Sequence, residues 1–180
     1  MSAGKPRIPL DNRSKGFIVG GRFDEAMNAF AAAVVRTDGV DPLITELVRL
    51  RCAQVHDCRL CGSLRLAEAL DAGLDEEMTV AIARYETAGF DPAAVAALRL
   101  ADAIILSPTS ADGNLAAELR RHFTSAQIAE LCLDVVKWSH QKVLVSLRLE
   151  SPPWEETSVL SFDPSGDPVI QGPVSELRAR

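Results

Sequence analysis

Helix boundary signals recur at nearly every join of this chain, and they leave little room for any architecture but a bundle of helices. Asp41 and Pro42 supply an N-cap and a first-turn proline to PLITELVRLRCAQVH, and Asp91 and Pro92 do the same for PAAVAALRLADAIIL. Asp75, followed by Glu76 and Glu77, opens DEEMTVAIARYETAG, because acidic side chains suit the positive end of a helix. Thr124 and Gln127 form a capping-box pattern ahead of Ile128, Leu131, Cys132, Val135 and Val136, a strongly apolar helical face. Upstream, Phe23, Met27, Phe30, Ala31 and Val34 keep helical spacing until Asp38-Gly39, and Gly73 closes a helix expected to start near Asp57. After Leu149 the composition changes. SPPWEETSVLSFDPSGDPVIQGP is too proline-broken for a helix, and either forms a short hairpin around Asp163 to Asp167 or wraps a neighbour. The expected organisation is a tail over residues 1–20, an all-α domain over 21–150 and a Pro/Gly-rich extension over 151–180.

With 47% hydrophobic and 24% charged residues over a length of 180, the chain has the makings of one folded domain with a real core. A net charge of -6 argues against a nucleic-acid module, which would carry a basic face. The early Lys5, Arg7, Arg13, Lys15 and Arg22 read instead as a solvated tail. MSAGKPRIPLDNR lacks the apolar centre of a signal peptide and no later run is apolar enough to span a bilayer, so a cytoplasmic protein is expected. In a reducing compartment four cysteines do not make a disulfide framework, and a close pair is redox-active or metal-binding before it is structural.

VHDCRLCGSLRLAEAL holds such a pair, Cys58 and Cys61. A helix starting near Asp57 would put both on one face a turn apart, where unpaired N–H groups and the helix dipole favour a thiolate and the spacing suits a reversible disulfide. Two buried apolar cysteines would show the same spacing. A zinc site is the other chemistry, although Cys52, Cys132 and His140 would have to converge on the pair from elsewhere. On the preceding helix Glu46, Arg49, Ala53 and His56 share one stripe of an otherwise apolar surface, so a carboxylate is expected near the cysteines. A Glu46–Arg49 ion pair at three-residue spacing is the plainer reading of that stripe. His122 is expected near a helix end, His140 on the polar side of a long helix with Lys137 and Gln141, and Trp138 and Trp154 in packing.

In ELVRLRCAQVHDCRLCGSLR a glutamate precedes a CxxC pair by twelve residues, and over roughly residues 20 to 150 the chain resembles the alkylhydroperoxidase D-like proteins of the carboxymuconolactone decarboxylase superfamily. ALRLADAIILSP and FTSAQIAELCLDVVKWSHQKVLVSL resemble that family's later helices. The resemblance implies an AhpD-like helical bundle that oligomerises through helix faces, as a dimer, trimer or hexamer, and a peroxidase chemistry. In that chemistry Cys61 attacks a peroxide, Cys58 resolves it as a disulfide, Glu46 assists proton transfer, and an external dithiol or protein donor returns the electrons without a bound cofactor.

The motif histidine expected four residues after Cys61 is Arg65, and Leu60 stands just before Cys61. Arginine is a fixed cation and cannot relay a proton. It either favours the Cys61 thiolate or pairs with Glu46, and His56 is the one nearby imidazole available as a replacement relay. Helix-end electrostatics favour Cys58 as the more acidic thiol, while the family pattern assigns attack to Cys61. Two further functions stay open: a decarboxylase-like lyase needing neither cysteine, with Arg49 or Arg65 holding a carboxylate, and a catalytically weak, oligomeric redox-sensing or binding member of the fold.

Overall fold

The computed structural model describes residues 22–148 and 150–177; the tail expected over residues 1–20 lies outside them. Its helices begin where the capping residues stand. After α1 (Arg22–Val34), the Asp41 carboxylate accepts from the Leu43 N–H at 2.8 Å and opens α2 (Pro42–His56). Asp75 opens α5 (Glu76–Ala81) through the Met78 N–H, and Asp91 opens α6 (Pro92–Leu106) through Ala93. Asp112 caps α7 (Gly113–His122), and both halves of the Thr124–Gln127 capping box form at the start of α8 (Ser125–Ser139), which α9 (Gln141–Leu147) follows almost directly.

The helix expected over residues 57–73 does not form as one piece. Asp57 takes the left-handed conformation (φ 55) and ends α2, and Cys58 precedes a single turn, α3 (Arg59–Gly62). A three-residue strand, β1 (Leu64–Leu66), and a short helix, α4 (Ala67–Asp71), come next, with Gly73 at φ +98 ending the run as the sequence suggests. The break has a buried cause. Arg49 donates from Nη1 to the Cys61 carbonyl at 2.7 Å and from Nη2 to the Leu64 carbonyl at 2.6 Å, and the Leu66 N–H donates to Glu46 Oε1 at 3.2 Å. Those backbone groups would otherwise serve a continuing helical ladder, and side chains of α2 have taken them.

The C-terminal extension supplies the remaining partners. β2 (Ser158–Phe162) runs parallel to β1, pairing Leu64 with Ser158 and Leu66 with Leu160, and β3 (Pro168–Pro173) returns antiparallel to β2 before a last turn, α10 (Val174–Leu177). The hairpin turn lies where the sequence allows it, the Asp163 carboxylate accepting from the N–H groups of Ser165 and Asp167. A small three-stranded sheet therefore rides on a fold that is otherwise helical. Gly166 in that turn has φ +88, and a Cβ there would meet Ala32 of α1 at 2.7 Å, so only glycine lets the hairpin close against the first helix.

α2 divides the core. One face packs Val48 and Cys52 against α6 and α8, the other packs Leu47 and Leu50 against β1, α4 and Leu160, and at its C-terminal end Ala53 contacts Cys58 and Cys61. Among the described residues no helix is long and apolar enough to cross a membrane.

Because Glu46 and Arg49 are both fully buried, removing one partner strands the other's charge. Glu46→Ala is expected to lower unfolding free energy by about 3–5 kcal/mol in urea titration. A loss below about 1 kcal/mol, the range of an exposed pair, would show that the fold does not depend on the buried bridge.

Candidate functional site

Glu46 and Arg49 sit one turn apart on α2 and meet side by side: Arg49 Nε donates to Oε2 at 2.5 Å and Nη2 to Oε1 at 2.7 Å. This is the ion pair the three-residue spacing suggested. Both carboxylate oxygens are occupied by donors, one of them also by the Leu66 N–H, so in this arrangement Glu46 holds the guanidinium that holds the Cys61 carbonyl.

Cys58 and Cys61 are free thiols in mutual contact. The Cys61 thiol, donating to the Cys58 sulfur, holds Cys58 below the usual thiol range against the opposing effect of burial, and the Cys61 backbone N–H helps. The same bond, with burial and the nearby Cys58 charge, pushes Cys61 up. Of the two thiols Cys58 is therefore the more acidic, as the helix-end reading suggests. Access runs the other way. Cys61 lines a pocket of about 190 Å³ between α1 and the end of α8, with Met27, Ala31, Lys137, His140 and Leu144 around it.

Lys137 is the site residue that the sequence pattern did not bring forward. Its ammonium lies 3.0 Å from the centroid of the Trp138 ring, close to Arg49, Cys61 and Asp134. Burial pushes it down to about 7, the Arg49 charge acts in the same direction, and Cys61 and Asp134 act against them. Burial, and then the Lys137 charge, also hold His140 below the usual imidazole range. Lys137, His140 and Gln141 belong to one stretch, KWSHQK, which the wheel places on a single polar side; nothing local in it says that this side faces a thiol more than 70 positions away.

The other two candidates point elsewhere. His56 ends α2 with Nε2 3.4 Å from the Ser139 hydroxyl, and burial holds its pKa below the usual value. Arg65 is neither at Glu46 nor on a thiol: it pairs with Glu76 at 3.0 and 3.1 Å and donates to the carbonyls of Gly62 and Leu64, both at 2.7 Å. Arg49, one turn along α2, is already the partner of Glu46. Among the described residues no group of three or more His, Cys, Asp or Glu side chains is arranged to hold a metal, and Cys52 packs into the main core instead.

The carboxymuconolactone decarboxylase family model matches residues 21–103. Uncharacterised proteins from two Mycobacterium tuberculosis strains, CDC 1551 / Oshkosh and H37Rv, are each 43% identical to the chain over 126 residues, which is 69% of this chain and 44% of theirs. The chain thus spans less than half the length of the curated relatives it matches. A crystal structure of an Agrobacterium tumefaciens protein of unknown function, assigned to AhpD-type antioxidant defence, superposes with a TM-score of 0.64 at 20% identity, covering 74% of this chain and 92% of that one. The fold is accordingly AhpD-like.

Arg65 occupies the motif's histidine position with its charge committed to Glu76 and two carbonyls. Glu76 is well exposed, so the pair itself contributes little; if Arg65 is removed, the Leu64 carbonyl keeps its Arg49 donor and the part-buried Gly62 carbonyl loses one hydrogen bond. Arg65→Ala should cost about 0.5–1.5 kcal/mol of stability and leave the pH at which the pair reacts with iodoacetamide unchanged. A rise of about one pH unit or more in that midpoint would place Arg65 in the electrostatics of the thiols.

Proposed function

We propose that the chain, whose residues 21–103 match the carboxymuconolactone decarboxylase family model, is a thiol-dependent peroxidase whose working pair is Cys61 and Cys58. One observation carries this reading: a thiol facing a pocket is hydrogen-bonded to a second thiol that has no need of the pocket. The reaction starts when the Cys61 proton passes to Cys58 along that hydrogen bond. The Cys61 thiolate attacks one peroxide oxygen, the S–O bond forms as the O–O bond breaks, and the other oxygen leaves as an alkoxide that takes a proton to become the alcohol. Cys58, deprotonated again, attacks the Cys61 sulfur; the S–S bond forms and the sulfenic oxygen leaves as water. Two electrons have passed from the thiols to the peroxide, and an external dithiol or a protein thiol restores the pair.

Met27, Ala31 and Leu144 give the pocket an apolar wall, which suits the organic part of an alkyl hydroperoxide better than hydrogen peroxide. Glu46 enters as the anchor of Arg49, which fixes the Cys61 backbone; His56, turned to Ser139, is given no step.

Self-association belongs to the same proposal. Leu133 and Val136 on α8 and Val143 on α9 stand exposed at spacings of three and seven, a helical stripe with apolar side chains outward. A second copy of the chain is the proposed cover for that stripe. Light scattering at micromolar concentration should give a multiple of the 19.4 kDa chain mass, and a monomeric mass would count against it.

Treatment with one equivalent of cumene hydroperoxide should remove both thiols as an intramolecular disulfide, leaving Cys52 and Cys132 alkylatable. Cys61→Ser should consume no peroxide, whereas Cys58→Ser should stop after one turnover with a sulfenic acid on Cys61 that a 1,3-dione captures. A protein that keeps both thiols under these conditions, or that turns over a lactone without them, is not a peroxidase.

A further inference from the structure

The peroxidase reading leaves one proton unassigned, the one that the departing alkoxide takes. Histidine at the family's motif position would be the natural donor, and here that position holds an arginine bound to Glu76. We propose that Lys137 is the catalytic acid: it donates its proton to the leaving oxygen of the peroxide. The proposal rests on the peroxidase reading above.

Position supports it first. Lys137, in the last turn of α8, and Cys61, in α3, line the same pocket and feel each other's charge, so a peroxide bound at the sulfur lies in the space that the ammonium also borders. The ammonium is also uncommitted. Among the described residues no carboxylate or carbonyl takes a hydrogen bond from it; it rests on the Trp138 ring face, an interaction that holds a cation in place without removing its protons. The surrounding charges then set when it can give one up. α2 presents Arg49, α3 presents Cys61, α8 itself presents Asp134 one turn back, and His140 stands at its end; α1 contributes Met27, Asn28 and Ala31, none of which titrates. Burial and Arg49 bring the ammonium down to about 7, where a lysine can both donate and recover a proton near neutral pH.

The chemistry balances with this group included. Cys61 thiolate and ROOH give the sulfenic acid and RO⁻; RO⁻ takes the Lys137 proton and leaves as ROH. The Cys58 thiol then attacks the Cys61 sulfur; the S–S bond forms, the S–O bond breaks, and the Cys58 proton leaves with the hydroxyl as water. The neutral amine recovers its proton from solvent when the pair is reduced.

The test compares wild type, Lys137→Arg and Lys137→Gln, each checked for folding by its thermal transition. Peroxide consumption is followed against pH with cumene hydroperoxide, which needs a proton on its leaving alkoxide, and with peracetic acid, whose acetate leaves without one. Wild type should lose activity toward cumene hydroperoxide as pH rises through about 7, because the ammonium is then deprotonated. Lys137→Arg keeps the charge but cannot release a proton, and should fall ~100-fold with cumene hydroperoxide, lose the alkaline limb, and stay within roughly threefold of wild type with peracetic acid. Lys137→Gln, lacking the charge as well, should also require a higher pH for alkylation of Cys61. Equal losses on both peroxides, or an alkaline limb that survives in Lys137→Arg, would overturn Lys137 as the acid while leaving the cysteine chemistry standing. A wild type that consumes neither peroxide would overturn both.

Discussion

The buried bridge between Glu46 and Arg49 is the interaction on which the rest of this structure depends. Two charges without solvent are costly, and their mutual attraction covers that cost only when every remaining donor and acceptor is used. Here they are used on the backbone. The guanidinium takes the Cys61 and Leu64 carbonyls, the carboxylate takes the Leu66 N–H, and a segment that would run on as a helix is bent into a turn, a strand and a second short helix. The two cysteines owe their placement to this: Cys58 lies at the mouth of a single helical turn, Cys61 inside it, close enough to share a proton.

The same arrangement separates the roles of the two sulfurs. Cys58 is the more acidic sulfur, because the Cys61 thiol and backbone N–H stabilise its charged form, while Cys61 is the one that lines the pocket. A reagent entering the pocket meets the protonated thiol first, and reaction waits on a proton crossing one hydrogen bond. Such a pair is sheltered from indiscriminate oxidation, since the thiolate is the reactive form and the thiol that lines the pocket is the less acidic of the two.

Helix starts were legible in the sequence because each is a local event: Asp41, Asp75, Asp91 and Thr124 bond to N–H groups two or three residues on. The Glu46–Arg49 pair was legible for the same reason, and so was the turn at residues 163–167. The break after Asp57 was hidden, since its causes come from elsewhere: Arg49 from the previous helix and β2 from almost a hundred positions downstream. Arg65 was placed near Glu46 by spacing alone, but Arg49 is closer on the same helix and Glu76 offers Arg65 a fork of its own. Lys137 and its neighbours were hidden by distance too. A lysine beside a tryptophan on an amphipathic helix gives no sign that a thiol will fold against it.

Gly166 carries a consequence for how this protein comes to be made. Its missing side chain lets a turn near the C-terminal end of the described residues lie directly on Ala32 of α1, while α1 in turn walls the pocket with Met27 and Ala31. Strand β1, which follows the cysteines, likewise finds its neighbour only in β2. A chain still emerging from the ribosome has α2, α6 and α8 available to pack long before either contact exists. The α1 wall of the pocket thus gains its support from the hairpin last, through pairings of large sequence separation that close slowly. Until then the pocket in front of Cys61 has α8 and α9 for walls and lacks a fixed one on the side of α1.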